Sequence, residues 1–360
     1  MTQNTNYSKG IYTLLFIITT IICCFVLKTL HTFILPVLFA IFLSFVFIPI
    51  VNKIHTKTKI PWSIISIFIV LILIIVISVT TFLLSTGVTT IISEYPKYEV
   101  KFQNIILKLI SVLPINYDEG KGIIENLQTM VDIPGIIQTI GVPVSSGIVS
   151  FIKSLFIILI LFLFLLLEAN YTKDKIKTVF EKRNKSGILY MSKKIVSQVV
   201  RYLSIKFFIS LGTGILVYFG TLIIGLNFPI VWAFIAFVMN FIPTFGSIIS
   251  VGVTTIFSLM QFYPEWGKII FVFIFMLSTN FLLGNIIEPK IEGDNLDLSI
   301  FVIIVCILFW GWLWGFTGMI LAVPLTVIIK IICENIEFLH PIAIFLSNDP
   351  IKAKQNLKKI

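Results

Sequence analysis

FPIVWAFIAFVMNFIPTFGSIISVGVTTIFSLMQF, residues 228–262, decides the fold. The run is apolar for about 35 residues, or roughly 52 Å if wholly helical. A hydrocarbon core is only about 30 Å thick, so one tilted helix fits poorly. Near the middle stand Asn240, Pro243, Thr244, Gly246 and Ser247. Pro243 removes a backbone donor and clashes with the preceding turn. Gly246 permits dihedrals that other residues avoid. The helix therefore breaks here, either as a kinked span or as a hairpin that turns back.

A second run, Leu298–Cys333, has a similar length and its own interruption around Trp310-Gly311-Trp312-Leu313-Trp314-Gly315. Aligned without gaps, Pro243–Ile256 and Gly315–Ile328 place Gly246 on Gly318, Ser250 on Ala322, Gly252 on Pro324 and Thr254 on Thr326. The pattern reads as an internal repeat, a full span followed by a broken hairpin, used twice. If both hairpins are re-entrant, the repeats have opposite orientations, as in many secondary transporters.

The rest of the chain has the same character. Of 360 residues, 58% are hydrophobic and 12% charged. Soluble domains carry about 25% charged residues, so lipid must solvate much of this surface. Further candidate spans are Ile11–Leu27, Phe33–Val51, Trp62–Ile92, Ile148–Leu167, Tyr202–Leu226 and Lys268–Ile287. The first follows Lys9 and has no convincing cleavage site, so it reads as an uncleaved span. The expected fold is all-α, a polytopic membrane bundle of about eight hydrophobic segments with two broken or re-entrant hairpins in its C-terminal half.

The net charge of +10 sits in short loops, which is a membrane-orientation pattern and not a nucleic-acid groove. Lys53, Lys57 and Lys59, the Lys- and Arg-rich 168–201 segment, and the tail Lys residues belong inside. The segment 94–147 is richer in acids and belongs outside. The organisation expected is N-terminal spans to 93, an extracytoplasmic amphipathic insert at 94–147, a span at 148–167 and a basic cytoplasmic helical segment at 168–201. A transport core at 202–335 and a cytoplasmic tail at 336–360 complete it. Both termini are expected in the cytoplasm. Val100, Phe102, Ile105, Ile106, Leu109 and Ile110 form a helical stripe in the insert, which Pro114, Pro134 and Pro143 interrupt. Asn184-Lys185-Ser186-Gly187 reads as the turn of a cytoplasmic helical hairpin.

Broken helices free backbone groups at membrane depth, and these survive only inside protein or beside a wet cavity. With Asn240, Thr244 and Ser247 they can hold a polar solute or cation. Asn280 and Asn285 are costly in lipid unless hydrogen-bonded. Glu288, before Pro289, can exchange protons or pair with Lys290. Lys206 and Lys330 read as snorkelling cations near span ends. Cys23, Cys24, Cys306 and Cys333 read as small buried hydrophobes. The sequence contains no HExxH, GxSxG, Walker motif or paired intramembrane aspartates, so no enzyme and no cofactor are expected.

Asn240-Phe-Ile-Pro-Thr-Phe-Gly246, Asn285-Ile-Ile-Glu-Pro289 and Trp312-Leu-Trp-Gly-Phe-Thr-Gly-Met-Ile-Leu-Ala-Val-Pro324 resemble the marker segments of the autoinducer-2 exporter family. The resemblance covers nearly the whole chain and is most specific from Asn227 onward. It implies a bacterial inner-membrane transporter that is a homo-oligomer. Some members are linked to autoinducer-2 export, others to sodium or lithium exchange for protons. It marks Pro243, Gly246, Glu288, Pro289, Gly315, Gly318 and Pro324 as family positions. The expected function is export of a small polar solute across a lipid bilayer. The alternatives are a sodium or lithium/proton exchanger or ion-conducting permease, and a structural membrane scaffold.

Overall fold

A computed structural model describes residues 3–112, 154–169, 186–292 and 297–351. Eleven α-helices cover most of these residues. They are α1 Gln3–Thr29, α2 His31–Thr58, α3 Trp62–Val112, α4 Ser154–Ala169, α5 Ser186–Ile224 and α6 Pro229–Met239. Then come α7 Phe245–Phe262, α8 Trp266–Asn280, a π-helical turn Phe281–Ile287, α9 Glu288–Glu292, α10 Ile300–Asn335 and α11 His340–Leu346. Among the described residues, six helices are long and apolar enough to cross a membrane. The chain is a polytopic helical membrane protein.

Three sequence expectations meet a different arrangement. The helix that carries the third span does not stop at Ile92, because α3 runs unbroken through Pro96 to Val112. The apolar stripe at Val100–Ile110 thus continues an existing helix. Pro114, Pro134 and Pro143 lie outside the described residues, as do Asn184 and Lys185. Ser186 and Gly187 open α5. Lys206 and Lys330 do not snorkel. They are 5% and 4% exposed, and each reaches a carboxylate instead.

The chain forms two compact units, assembled from alternating segments. The first comprises Met1–Ser66, Ile157–Ser204 and Asp294–Ile360. Within it, the Trp62 indole donates to the Leu166 carbonyl at 2.7 Å, and Phe47 meets the Phe162 ring edge-on. The Trp314 indole donates to the Leu27 carbonyl at 3.0 Å, tying α10 to α1. Asp297 is a hub at the foot of α10. Its carbonyl and carboxylate accept from Lys330 Nζ at 2.6 and 3.0 Å, and also from the backbone of Asn348 and Asp349. Asp297→Ala is expected to lower stability by about 1–3 kcal/mol, the loss of a charged acceptor to a buried donor. Thermal unfolding in detergent reads this, and an unchanged midpoint removes the hub from the account.

The second unit comprises Ile67–Phe156 and Ile205–Gly293. Here α6 and α7 form a hairpin. The Trp232 and Phe257 ring centroids lie 4.7 Å apart, although a continuous helix would separate these residues by about 37 Å. Pro243 stands between the arms, as its chemistry dictates. The positive dihedral falls on Thr244, at φ 65°, and not on Gly246. Gly246 is already helical, and its missing side chain serves closeness, since a Cβ there would drive into the Met239 carbonyl. Apolar packing of Val217, Trp232, Ala236, Val251, Val272 and Met276 joins α5 to the hairpin and α8.

The second broken run, in the first unit, behaves alike. Trp314 and Gly315 leave helical dihedrals, with Gly315 at φ 63°. A Cβ on Gly318 would drive into the Trp310 carbonyl, and one on Gly311 would stand 2.9 Å from Met319 Cγ. Residues eight apart lie about 12 Å apart along a straight helix, so this run also folds back. The aligned glycines Gly246 and Gly318 hold equivalent close approaches.

Candidate functional site

In the second unit a cavity of about 610 Å³ opens where the α6–α7 turn faces the end of α8. It brings together Asn240, Pro243, Thr244, Ser247, Asn280, Asn285 and Glu288, with apolar walls from Ile248, Val251, Phe273, Leu277 and Phe281. Ligand pockets run at about 300–1,000 Å³.

The polar groups arrive from three directions. Asn240 caps α6 and donates from Nδ2 to Ser210 Oγ on α5 at 3.0 Å. Ser247 Oγ donates to the Thr244 carbonyl at 2.9 Å, closing the turn. Asn280 donates back to the Met276 carbonyl at 2.8 Å. Among the described residues, the Thr244 hydroxyl and Asn285 amide make no hydrogen bond, so both remain available to a solute. The α8 side of the cavity is the π-helical turn, a geometry that recurs at functional sites. Gly284 lines it and leaves room beside the backbone.

The sequence reading took Lys206 for a snorkelling cation and did not count it among the site residues. Its Nζ donates to Glu288 Oε1 at 2.7 Å and Oε2 at 3.0 Å, and both residues line the cavity. Glu288 therefore pairs with Lys206 across 82 residues, and not with the adjacent, exposed Lys290. A signal that Lys206 faces inward, though not of its partner, was present in α5, where Lys206, Ser210 and Thr213 recur at helical spacing in an apolar helix. The paired charges leave the cavity formally neutral.

The remaining predicted positions lie elsewhere. Gly246 packs behind the turn, and Pro289 is exposed on α9. Gly315, Gly318 and Pro324 belong to the α10 hairpin of the first unit, where they shape backbone and do not line this cavity.

A formally neutral, mainly apolar cavity with a few convergent polar groups, beside a broken helix and a π turn, has the form of a solute site. The AI-2E family transporter profile matches residues 14–338. The chain belongs to the AI-2E transporter family. Among its relatives, a transport protein of Borreliella burgdorferi is 36% identical over 74% of this chain and 71% of its own length. A transport protein of Haemophilus influenzae is 29% identical over 93% of this chain and 95% of its own length. The AI-2 transport protein TqsA of Escherichia coli is 28% identical, over 88% and 89%. As an AI-2E family member the chain is a membrane transporter whose surface meets the lipid bilayer.

Proposed function

We propose that this chain exports a small, uncharged, hydrogen-bonding solute through the cavity of its second unit. The neutrality of that cavity carries the reading. Among the described residues its two charged lining groups, Lys206 and Glu288, satisfy one another, and the rest are amides, hydroxyls and apolar walls. A polyhydroxylated molecule of the autoinducer-2 class suits such a lining, and TqsA carries that solute in its name. A monovalent cation/proton exchanger needs a carboxylate free to change partners. Glu288 accepts from Lys206 on both oxygens, which favours the uncharged solute. The reading places the chain in a bacterial inner membrane as a homo-oligomer, with both termini in the cytoplasm and the 94–147 insert outside.

Proteoliposome flux with a panel of labelled polyols, sugars and monovalent cations tests the reading. Asn240→Leu and Asn285→Leu are expected to slow solute flux at least tenfold. Asn285, which makes no internal hydrogen bond, leaves the melting midpoint unchanged. Cation flux coupled to protons, with no movement of neutral solutes, overturns the reading.

A further inference from the structure

Hydroxyls in apolar helices normally satisfy themselves by donating to a carbonyl one turn back. This chain follows the habit in several helices. Ser44, Thr213, Thr221 and Thr326 all donate to the carbonyl four residues earlier, at 2.7–2.9 Å. In helix α7, Ser247 and Ser258 keep it, donating to the Thr244 and Thr255 carbonyls at 2.9 and 2.8 Å, but three hydroxyls between them do not. Ser250 and Thr254 are 1% and 0% exposed, and their hydroxyl oxygens have no protein partner. The buried Thr255 hydroxyl beside them has none either.

Leaving a buried hydroxyl unmade is unfavourable, and a simple χ1 rotation toward the turn above offers relief. The second hairpin shows that relief taken. Its aligned positions are Ala322, which has no hydroxyl, and Thr326, which bonds back to Ala322. The first hairpin keeps a hydroxyl at both positions and leaves both unbonded. Buried polar groups in such a state call for a water or a ligand as partner.

Their placement along α7 is ordered. Ser247, Ser250, Thr254 and Ser258 follow at spacings of three, four and four, which puts them on one helix face over about 16 Å. Ser247 already lines the cavity. Of the six spanning helices α7 is the least hydropathic, at 1.5, and the most buried, at 39%. A helix inserted for lipid contact has no use for either property.

We infer that the Ser247–Ser258 face of α7 is the continuation of the solute path beyond the cavity. Ser250 and Thr254 hydrogen-bond in turn to water and to the neutral polar solute. This rests on the cavity being the solute site, as proposed above. Hydroxyls both donate and accept without adding charge, so the path has the same selectivity as the cavity.

Thiol accessibility tests it. Cys23, Cys24, Cys306 and Cys333 are first replaced, and Thr244→Cys, Ser250→Cys, Thr254→Cys and Thr326→Cys are each reconstituted in liposomes. The probe is a small cationic methanethiosulfonate. Reaction at Ser250→Cys and Thr254→Cys within about tenfold of the Thr244→Cys rate is expected, with Thr326→Cys inert. Two near-isosteric positions guard against one failing to fold. Inert Ser250→Cys and Thr254→Cys beside a reactive Thr244→Cys overturn the path and leave the cavity standing. An inert Thr244→Cys overturns the cavity reading, and the path with it.

Discussion

Lys206→Met is expected to cost about 3–5 kcal/mol of stability and to abolish transport, the largest effect of any cavity substitution. The change leaves the Glu288 carboxylate buried without its counter-charge, and breaking a buried pair from one side carries that penalty. Glu288→Gln strands the Lys206 ammonium in the same way. Lys206→Met with Glu288→Gln removes both charges together, so most of the stability is expected to return. Transport is not expected to return, because the lining has lost its two strongest hydrogen-bonding groups. Thermal unfolding and proteoliposome flux, measured on the single and double variants, separate the roles. Full transport in the double variant would reduce the pair to a structural brace.

Gly246→Ala and Gly318→Ala are expected to prevent folding, with penalties above about 4 kcal/mol each. A methyl group at either site meets a backbone carbonyl of the opposing arm, at Met239 or Trp310. Backbone cannot rotate aside as a side chain does, so the hairpin must open. Gly212→Ala is the matched control, since a Cβ there meets nothing within 4 Å and α5 is a regular helix. That substitution is expected to be neutral, or stabilising by up to about 1 kcal/mol. Yield and monodispersity on size exclusion distinguish the three. A well-folded Gly246→Ala protein would mean that the arms stand further apart than described.

These two predictions divide the molecule by what its sequence discloses. The breaks were legible because Pro243, Gly246, Gly315 and Gly318 act locally, on dihedrals and on close approach. The apolar runs were legible because hydropathy is also local. Folding back was left open against kinking, since chain length and charge allow both. It took the approach of Trp232 to Phe257 to decide. The Lys206–Glu288 pair was illegible for a different reason. Nothing near Lys206 in sequence says that a carboxylate 82 residues later will reach it, and a lone Lys near a span end ordinarily snorkels. Assigning the strained dihedral to Gly246 failed because glycine answers two needs. Here the second hairpin divides them between Gly315 and Gly318, while the first gives the turn to Thr244.

The π-helical turn at Phe281–Ile287 has a geometric consequence for the cavity. In an unbroken α-helix, residues eight apart such as Asn280 and Glu288 face directions about 80° apart. Wider i→i+5 turns fall behind by about one residue's rotation over such a stretch. That lag nearly cancels the offset. The helix carries one residue in surplus, and the surplus acts as a phase correction that brings an amide and a carboxylate from opposite ends of the turn onto one wall.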